Sequence, residues 1–557
     1  MKPKISIVIP YFKNKDTISK CLYHIKQQDF KDYQVIIVND ENNAKNPEKI
    51  ISKAAKNSDL DCVIASYGKN MGASYARNYG ANLGKAEYIL FLDADCYLYP
   101  GMLRECVEQL DDNQDIDFVY GNYRFIEKNS EFISKPFDPY LLETMNYICT
   151  MSPLRRTAFD KVKGFIDGQK FFQDWSLFYR MVKAGSQGKW INEFIFSTPL
   201  PTETSVSGSQ GLTLAEKAKI FRSEHGIEDK SLVVTTLGAP LQAIQRAKML
   251  GADYVGSNLN SRSAVYPIQY QFDNWKGTYL VGCYNSTLDA LQNHLSICVG
   301  KKIIHFIGTD VFDLISKHPI EQLEVIKEVF KANKAKLFAN SSRLVKELVK
   351  CGIEAELLFT PIYKIERYKP TAYPKEFSVA IYYSDSNHAH LLNGANGISN
   401  LPLIVEVARA LPFIKFKFFG GKMKAIKGNI EYCGNIPEDK MSEFISSCSM
   451  YLRATIHDGF PQLPIQFMLS GRPTLVSCPD VEMMFADKLS FEEPLKNKVG
   501  FYRAKKEMID KIRAIKEEWE GKPLNEINIW QKEVFKYYSK LLDVNKYKNR
   551  IYEVLND

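Results

Sequence analysis

The sequence predicts an α/β protein made of several Rossmann-like units. Short apolar runs with the composition of buried strands alternate with segments that have helical spacing. The connections between them are short, which favours βαβ units and parallel strands. With 557 residues, the chain is long enough for about three or four folding units.

The first βαβ unit is predicted near the start of the chain. Lys4–Tyr11 and Tyr33–Val38 are apolar runs typical of strands, and Asp16–Gln28 between them has helical spacing. Asp40 follows the second strand. Ligands of open α/β sheets bind beyond the carboxyl ends of strands, so Asp40 is a candidate binding residue. A turn or cap role explains a lone aspartate here equally well.

A second acidic site follows the run Tyr88–Leu92, which predicts a buried strand. This strand leads into Asp93-Ala94-Asp95. Two carboxylates at a strand end are costly unless a cation or several donors face them. Hard oxygen ligands favour Mg²⁺ or Mn²⁺, which bind alongside substrate phosphates. For the acidic pair alone, a solvated turn is the alternative.

The residues before this strand form the pattern N-x-G-x4-R-N-x-G, made of Asn70, Gly72, Arg77, Asn78 and Gly80. With the DxD that follows, the pattern resembles the family 2 glycosyltransferases, whose catalytic domain has the GT-A fold. The resemblance implies a nucleotide-sugar site formed by Asp40, Asn70, Arg77, Asp93 and Asp95. It also implies a metal, Mn²⁺ or Mg²⁺, held by Asp95 with help from Asp93.

The catalytic base of that family is the second member of an acidic pair. Here the pair is Gln173-Asp174, at the start of a predicted helix whose apolar face includes Trp175 and Phe178. The resemblance therefore implies that Asp174 is the base, although the first acid is replaced. A helix cap is the alternative for Asp174. Many relatives carry a histidine further on, but the segment Pro201–Ser207 has none, so metal ligation beyond the DxD stays open.

Two further α/β series follow a boundary rich in Ser, Gly and Thr. We expect a GT-A domain over residues 1–204, a helical linker over 205–231, two Rossmann-like subdomains over 232–372 and 373–525, and a helical tail over 526–557. Trp530–Val554 is amphipathic. A packed terminal helix is the expectation for this tail, with contact to a membrane surface as the alternative.

The stretch Arg453–Cys478 resembles the donor-binding half of GT-B glycosyltransferases of the family 4 type. The likeness lies in an acidic-Gly-Phe turn and a later small-Gly-x-Pro segment. It implies a second, metal-independent donor site formed by Arg453, His457, Asp458, Gly459 and Gln466. Gln466 stands where the family carries an acid that binds the donor ribose. A degenerate scaffold without activity is the alternative.

Composition limits the class of protein. The 45% hydrophobic and 25% charged residues are ordinary for a globular protein, and the net charge of +8 suits anionic partners. Eleven cysteines without a CxxC pair favour a reducing, cytoplasmic compartment. No apolar run is long enough for a spanning helix, and the N-terminus enters a strand directly, so we expect neither an anchor nor a signal peptide. Without a basic stripe interleaved with aromatics, nucleic acid is disfavoured as a partner.

The sequence thus predicts two glycosyltransferase modules that use nucleotide-sugar donors and a glycan or lipid-linked acceptor. They would work in the cytoplasm, with peripheral contact at the inner face of the membrane. A surface polysaccharide is the expected product. Three rivals remain: one active GT-A domain beside a binding or scaffolding half, a sugar nucleotidyltransferase, and a non-catalytic carbohydrate-binding protein. The loop Pro10–Asn14 lacks the glycines that a nucleotidyltransferase needs for phosphate.

Overall fold

The structure is a computed structural model, and it describes residues 3–41, 47–127, 130–200, 212–237, 239–255, 275–282, 288–308, 310–311, 314–315, 320–383, 400–421, 428–455, 459–477, 483–490 and 498–557. The chain divides into two compact units. The first comprises Met1–Lys230 and Asp253–Asn274, and the second comprises Ser231–Ala252 and Trp275–Asp557.

The first unit is built on one mixed sheet. Its strands are β1 (Ile5–Tyr11), β2 (Tyr33–Asn39), β3 (Cys62–Ser66), β4 (Tyr88–Phe91), β5 (Tyr97–Leu98), β6 (Phe118–Phe125), β7 (Glu131–Phe132), β8 (Leu154–Arg155) and β9 (Gly188–Thr198). The order is β3-β2-β1-β4-β8-β6-β9-β5, with β7 beside β6. The four strands at the β3 edge are parallel, whereas β8 runs antiparallel to β4. The predicted mixed α/β sheet is confirmed.

Helices cover this sheet: α1 (Ile18–Lys26), α2 (Pro47–Asn57), α3 (Ala73–Leu83), α4 (Met102–Asp112), α5 (Arg156–Lys161), α6 (Gln173–Lys183) and α7 (Leu214–Glu224). The main core of the unit is formed by buried side chains of β1, β2 and β4 with those of α1 and α4. On the other face, α3 approaches closely at Gly80. A Cβ there would lie 2.4 Å from Cγ1 of Val8 and 2.9 Å from Cγ2 of Val38. The glycine therefore lets the helix bearing Arg77 lie flat on β1 and β2.

The predicted linker helix packs within the first unit. Phe221 of α7 stacks on Trp175 of α6 with 4.0 Å between ring centroids, and His225 stacks on Phe221 at 4.4 Å. Arg222, also on α7, pairs with Asp253 at 2.9 Å, and both side chains are at most 3% exposed. Residues 213–225 thus support the side of α6 formed by Trp175.

The second unit contains two parallel sheets. The strands that adjoin in the first are, in order, Leu232–Thr236, Gly277–Val281, Lys301–Phe306, Lys336–Ala339 and Glu356–Leu357. The order in the second is Ile430–Tyr432, Lys415–Gly420, Ser378–Tyr383, Met450–Arg453, Thr474–Val476 and Asp487–Lys488. The helices of the unit are Pro240–Leu250, Leu288–Ile297, Ile320–Ala332, Ser342–Lys350, Leu401–Ala410, Met441–Ser446, Gln462–Leu469, Lys498–Trp519, Leu524–Leu541 and Val544–Asn556.

The tail is two helices rather than the single terminal helix we expected. The first helix, Leu524–Leu541, has Leu542 as its C-terminal cap residue. The side chain of Asp543 then caps the next helix by accepting from the backbone N–H of Lys546 at 2.8 Å. An aspartate cap starts a new helix, which the amphipathic pattern alone did not reveal. The first of the two helices buries Val534 and Tyr538 in the core beneath the second sheet.

The last helix, Val544–Asn556, returns to the first sheet of the second unit. The hydroxyl of Tyr547 lies 2.7 Å from that of Tyr279, which is buried in the strand Gly277–Val281. Arg550 donates to both oxygens of Glu356, at 2.8 and 2.7 Å. Within the described parts of the chain, no helix combines the length and apolar character needed to span a bilayer.

Candidate active site

The site lies at the carboxyl ends of the parallel strands. Asp40 follows β2, and Asp93 and Asp95 follow β4, with β1 between these two strands. Arg77 projects from α3, and Asp174 lies in the first turn of α6. The local sequence explains the positions, because each apolar run ends where the polar residue begins.

Asp40 is buried, and both of its carboxylate oxygens accept hydrogen bonds from donors of its own unit. Its Oδ1 accepts from the N–H of Met71 at 2.6 Å and from the Tyr67 hydroxyl at 2.8 Å, and its Oδ2 accepts from the N–H of Gly72 at 2.9 Å. The side chain of Asn70 donates to the Asp40 carbonyl at 3.0 Å. In this arrangement Asp40 organises the turn before α3, and its partner Tyr67 carries no motif that would identify it from the sequence.

The remaining residues of the N-x-G-x4-R-N-x-G pattern also have identifiable contacts. Gly72, with φ of 86°, precedes α3 in a backbone conformation that favours glycine. Asn78 fixes the loop before α6, because it donates to the Phe165 carbonyl and accepts from the Phe165 N–H, both at 2.9 Å. The pattern therefore shapes the site through turn, loop and helix packing as well as through charge.

Arg77 joins the strand end to α6. Its Nη2 donates to Oδ1 of Asp93 at 2.7 Å, and its Nη1 donates to Oε1 of Gln173 at 2.6 Å. The planar guanidinium suits this double contact. Gln173, at the position of the family's first acid, thus accepts from Arg77 as a neutral group. Asp174 is the next residue, and so the DxD and the predicted base share one side of the unit.

Asp95 lacks such a partner. Among the described residues, none forms an ion pair with Asp95, and the Cys96 thiol makes a weak contact of 3.7 Å with its Oδ1. Burial, followed by the negative charge of Asp93, raises the pKa of Asp95 to about 6. A carboxylate destabilised by burial and by a like charge is one that a cation would stabilise.

The donor set fits a divalent cation that takes part of its coordination from a substrate. Asp93 and Asp95 offer hard carboxylate oxygens on one short loop. Within the ranges that the structure describes, no cluster of three or more His, Cys, Asp or Glu side chains could hold a metal. Two carboxylates plus diphosphate oxygens match the way Mg²⁺ is usually bound. The segment Pro201–Ser207 lies outside the described residues.

Asp174 is held by two donors on one oxygen. Its Oδ1 accepts from the N–H of Trp175 at 2.8 Å and from the side chain of Asn146 at 3.0 Å. Burial raises the pKa of Asp174, and the two hydrogen bonds and Arg77 oppose that rise. Asn146 could not be identified from the sequence, because it lies in an irregular segment without hydrophobic periodicity or a recognisable motif.

Arg155 and Arg156 bind backbone carbonyls of their own unit. Arg155 donates to the backbone carbonyls of Ile116 and Leu110, and Arg156 donates to the carbonyls of Ala86 and Ala81. These bonds satisfy carbonyls near the ends of α3 and α4 and just before β4 and β6.

The candidate residues of the second unit are only partly visible. Arg453 ends its strand and lies 3.4 Å from the Tyr451 hydroxyl, and Gln466 is half-buried on the helix Gln462–Leu469. His457 and Asp458 lie outside the described residues. A Cβ on Gly459 would come within 2.4 Å of the Ile307 carbonyl oxygen, so its backbone packs against the loop that follows a strand of the first sheet.

The first unit thus belongs to the class of α/β proteins with an acidic site at the carboxyl ends of parallel strands. The sequence profile of the family named Glycosyl transferase family 2 matches residues 6–173, from β1 to the first residue of α6. This match covers the whole described site except Asp174. The N-terminal part of the chain therefore carries a glycosyltransferase family 2 domain.

Curated relatives support a transferase. An uncharacterized glycosyltransferase of Haemophilus influenzae is 22% identical over 51% of this chain and 94% of its own length. The GalNAc(5)-diNAcBac-PP-undecaprenol beta-1,3-glucosyltransferase of Campylobacter jejuni is 30% identical over 25% of this chain and 44% of its own. An Escherichia coli enzyme, UDP-Glc:alpha-D-GlcNAc-diphosphoundecaprenol beta-1,3-glucosyltransferase, is 29% identical over 34% of this chain and 74% of its own length. The chain thus spans less than half of the Campylobacter relative.

Solved structures give a weaker likeness. TarS residues 1–349 from S. aureus, in complex with UDP-GlcNAc, is 16% identical, with a TM-score of 0.34 over 40% of this chain and 65% of that chain. At this TM-score, the likeness supports no inference about the fold or the site.

Proposed function

We propose that the first unit has the GT-A fold and acts as an inverting, metal-assisted glycosyltransferase. It would move a sugar from a nucleotide-sugar donor to a hydroxyl of a glycan or lipid-linked acceptor. The observation that carries this proposal is the double contact of Arg77, because it brings the start of α6 to the loop with the two aspartates. The family match over residues 6–173 gives the reaction class.

In the proposed reaction, Asp174 takes the proton of the acceptor hydroxyl. The freed oxygen attacks the anomeric carbon, the bond from that carbon to the donor diphosphate breaks, and the nucleoside diphosphate leaves. Attack from the face opposite the leaving group inverts the anomeric centre. General-base help of this kind contributes roughly 10²–10⁴-fold to the rate. Arg77 balances the charge of Asp93 beside the leaving group.

A bound Mn²⁺ or Mg²⁺ would be held by Asp95 and Asp93, and it would supply Lewis-acid stabilisation of the charge on the departing diphosphate. Asp40 and Asn70 would shape the nucleotide pocket through the turn before α3. Asp40 uses its carboxylate to hold that turn, so we propose that it positions the nucleotide through the backbone of residues 70–72.

The relatives suggest a pathway. Enzymes named for transfer to undecaprenol-linked saccharides occur among them, together with an O-antigen biosynthesis protein and a teichoic acid polymerase. We therefore propose a role in bacterial-type surface polysaccharide synthesis. Transfer would take place in the cytoplasm, next to the inner face of the membrane. A reducing compartment agrees with the nine free cysteines among the described residues.

For the second unit we propose a GT-B-like pair of subdomains, residues 232–372 and 373–525. Residues 1–204 would form the GT-A domain, 205–231 a linker and 526–557 the tail. In this GT-B-like pair, the residues that bind the donor would be Arg453, His457, Asp458, Gly459 and Gln466, and no metal would take part. The alternative is a non-catalytic acceptor-binding half, in which the close packing of Gly459 on the backbone of Ile307 is purely structural.

The test is a screen of sugar nucleotides with and without EDTA, followed by linkage analysis of the product by NMR. We expect transfer that EDTA abolishes and that Asp174→Asn removes while donor binding persists. Wild-type turnover in Asp174→Asn would overturn the base assignment. Transfer of a second sugar that survives Asp174→Asn but is lost in Gln466→Ala would show that the second unit is also catalytic.

A further inference from the structure

The carboxylate of Asp174 has two unequal oxygens. Oδ1 accepts from the N–H of Trp175 at 2.8 Å and from Nδ2 of Asn146 at 3.0 Å. Among the described residues, none donates to Oδ2. An oxygen that already accepts two hydrogen bonds is a poor place for an incoming proton, whereas Oδ2 keeps its lone pairs.

The other end of the Asn146 amide is left unpaired. Its Oδ1 is buried and has no hydrogen-bond partner within the described part of the chain. Turning the amide over would place an acceptor against the ionised carboxylate, so the charge of Asp174 sets the orientation. A buried carbonyl without a partner costs stability, and unpaired groups of this kind in native proteins commonly mark functional sites.

The backbone just before Asp174 is also strained. Phe172 has φ of 53° and ψ of 36°, a left-handed conformation that is rare for an aromatic residue. Its carbonyl accepts from the N–H of Ser176 at 2.9 Å, which begins α6. The strained backbone of Phe172 and the unpaired amide carbonyl of Asn146 both adjoin the carboxylate of Asp174. Each costs stability, which indicates that the position of this carboxylate matters for function.

We infer that Asn146 is a positioning residue for the base: it holds Oδ1 of Asp174 and leaves Oδ2 as the atom that receives the acceptor proton. This inference rests on the proposed function of Asp174 and deepens it. Asn146 acts through Asp174 and not on the sugar. It stabilises the charged form of the base and prevents rotation that would exchange the two oxygens.

Other groups also act on this carboxylate. Arg77 from α3 favours its charged form, and Asp93 from the end of β4 opposes it. Burial raises the pKa of the Cys149 thiol, three residues after Asn146, and the charge of Asp174 adds to that rise. All three remain in Asn146 variants, so a change seen there comes from the amide itself.

The test is the pH profile of kcat/KM for Asn146→Ala and Asn146→Asp. The acid limb of this profile reports the pKa of Asp95, a residue that these variants do not alter, and the pKa of Asp174 in the free enzyme. Removing a donor from the charged form raises that pKa, so in Asn146→Ala we expect the limb to move up by about one pH unit. A carboxylate at position 146 adds a like charge, so Asn146→Asp should move it further. Asn113→Ala, which removes an amide bond of 2.8 Å to the Gln109 carbonyl, is the matched control and should not move the limb.

A limb that stays at the wild-type position in a folded, active Asn146→Ala variant would overturn the inference. Failure of the proposed function looks different, since the wild-type protein would then transfer no sugar in the screen. The inference is still testable in that event by NMR of protein labelled with ¹³C at the aspartate carboxyl carbon, with Asp174→Asn to assign the signal. An unchanged titration of Asp174 in Asn146→Ala would then refute it.

Discussion

Arg77 and Asp93 form an ion pair of 2.7 Å in which the arginine side chain is 7% exposed and the aspartate 34%. The pair makes the two aspartates of the DxD unequal. Asp93 has a buried cation at its side, whereas Asp95 has none among the described residues, and the pKa of Asp95 is raised to about 6. One short loop therefore presents a neutralised carboxylate and an unneutralised one.

Replacing Arg77 by lysine tests this bridge. Lysine keeps the charge, but its ammonium lacks the planar fork that serves Asp93 and Gln173 together. Loss of a hydrogen bond to a charged group costs about 1.5–3 kcal/mol, so we expect kcat/KM to fall roughly 10–100-fold. Arg124→Lys, at an exposed pair with Glu131, is the control and should change little. Arg77→Lys with wild-type kcat/KM would contradict the bridge.

Asp95→Asn should make the metal-free protein more stable at neutral pH. The pKa of Asp95 is higher in the folded protein than in the unfolded chain, so the folded state binds this proton more tightly between about pH 4 and 6. Stability from this group is therefore lost as the pH rises through that window. We expect Asp95→Asn to unfold a few degrees higher than wild type at pH 7.5 and at a similar temperature at pH 4.5, in scanning fluorimetry with EDTA.

Mn²⁺ should reverse that order, because it would stabilise the wild-type protein and leave Asp95→Asn unchanged. Asp29→Asn is the control, since its partner Arg104 lowers the pKa of Asp29 and removal of that charge gives no gain. An equal shift by Mn²⁺ in both proteins would place the metal elsewhere.

Gly459→Ala should weaken the second unit. The new Cβ would lie 2.4 Å from a backbone oxygen of Ile307, which cannot move aside as a side chain could. Overpacking of this kind costs about 1–3 kcal/mol. In Gly434→Ala, where φ is 70° and no atom lies within 4 Å of the new Cβ, any loss comes from backbone strain and not from a close contact, so the two variants separate the two causes. Wild-type thermal unfolding of Gly459→Ala would mean that the close approach to Ile307 does not matter.

Tyr547→Phe should destabilise the second unit by about 1–2 kcal/mol. The variant removes the hydroxyl that lies 2.7 Å from Tyr279 in a buried network that also includes His305. Tyr502→Phe, at a side chain 67% exposed, should leave denaturant unfolding unchanged. If Tyr547→Phe unfolds as wild type does, the last helix is held by packing and by other contacts, such as those of Arg550 and Tyr552.

Apolar runs located the main strands because burial on both faces leaves a strong signal. The prediction for Tyr88–Leu92 matches β4 within one residue. β9 was missed, because exposed Asn192 and Glu193 interrupt its pattern where the register with β6 shifts. Two-residue strands such as β8 depend on partners distant in sequence, and no local pattern encodes them.

The same limit applies to the site. Asp93 follows a recognisable strand, and Asp174 lies at the start of a recognisable helix. The positions of both residues could therefore be predicted. The contacts that tune them could not. Asn146 and Tyr67 reach the carboxylates from segments without periodicity, and whether Asp40 faces a ligand or its own backbone is decided by tertiary structure.

The return of Val544–Asn556 to the strand Gly277–Val281 has a consequence for biosynthesis. A ribosome makes these two segments more than 250 residues apart, the hydroxyls of Tyr279 and Tyr547 being 268 positions distant. The second unit cannot close until Val544–Asn556 has been synthesised, whereas β1 to α7 emerge first and can fold beforehand. During that interval a nascent chain carries a finished transferase domain ahead of a half whose hydrophobic surface is still uncovered.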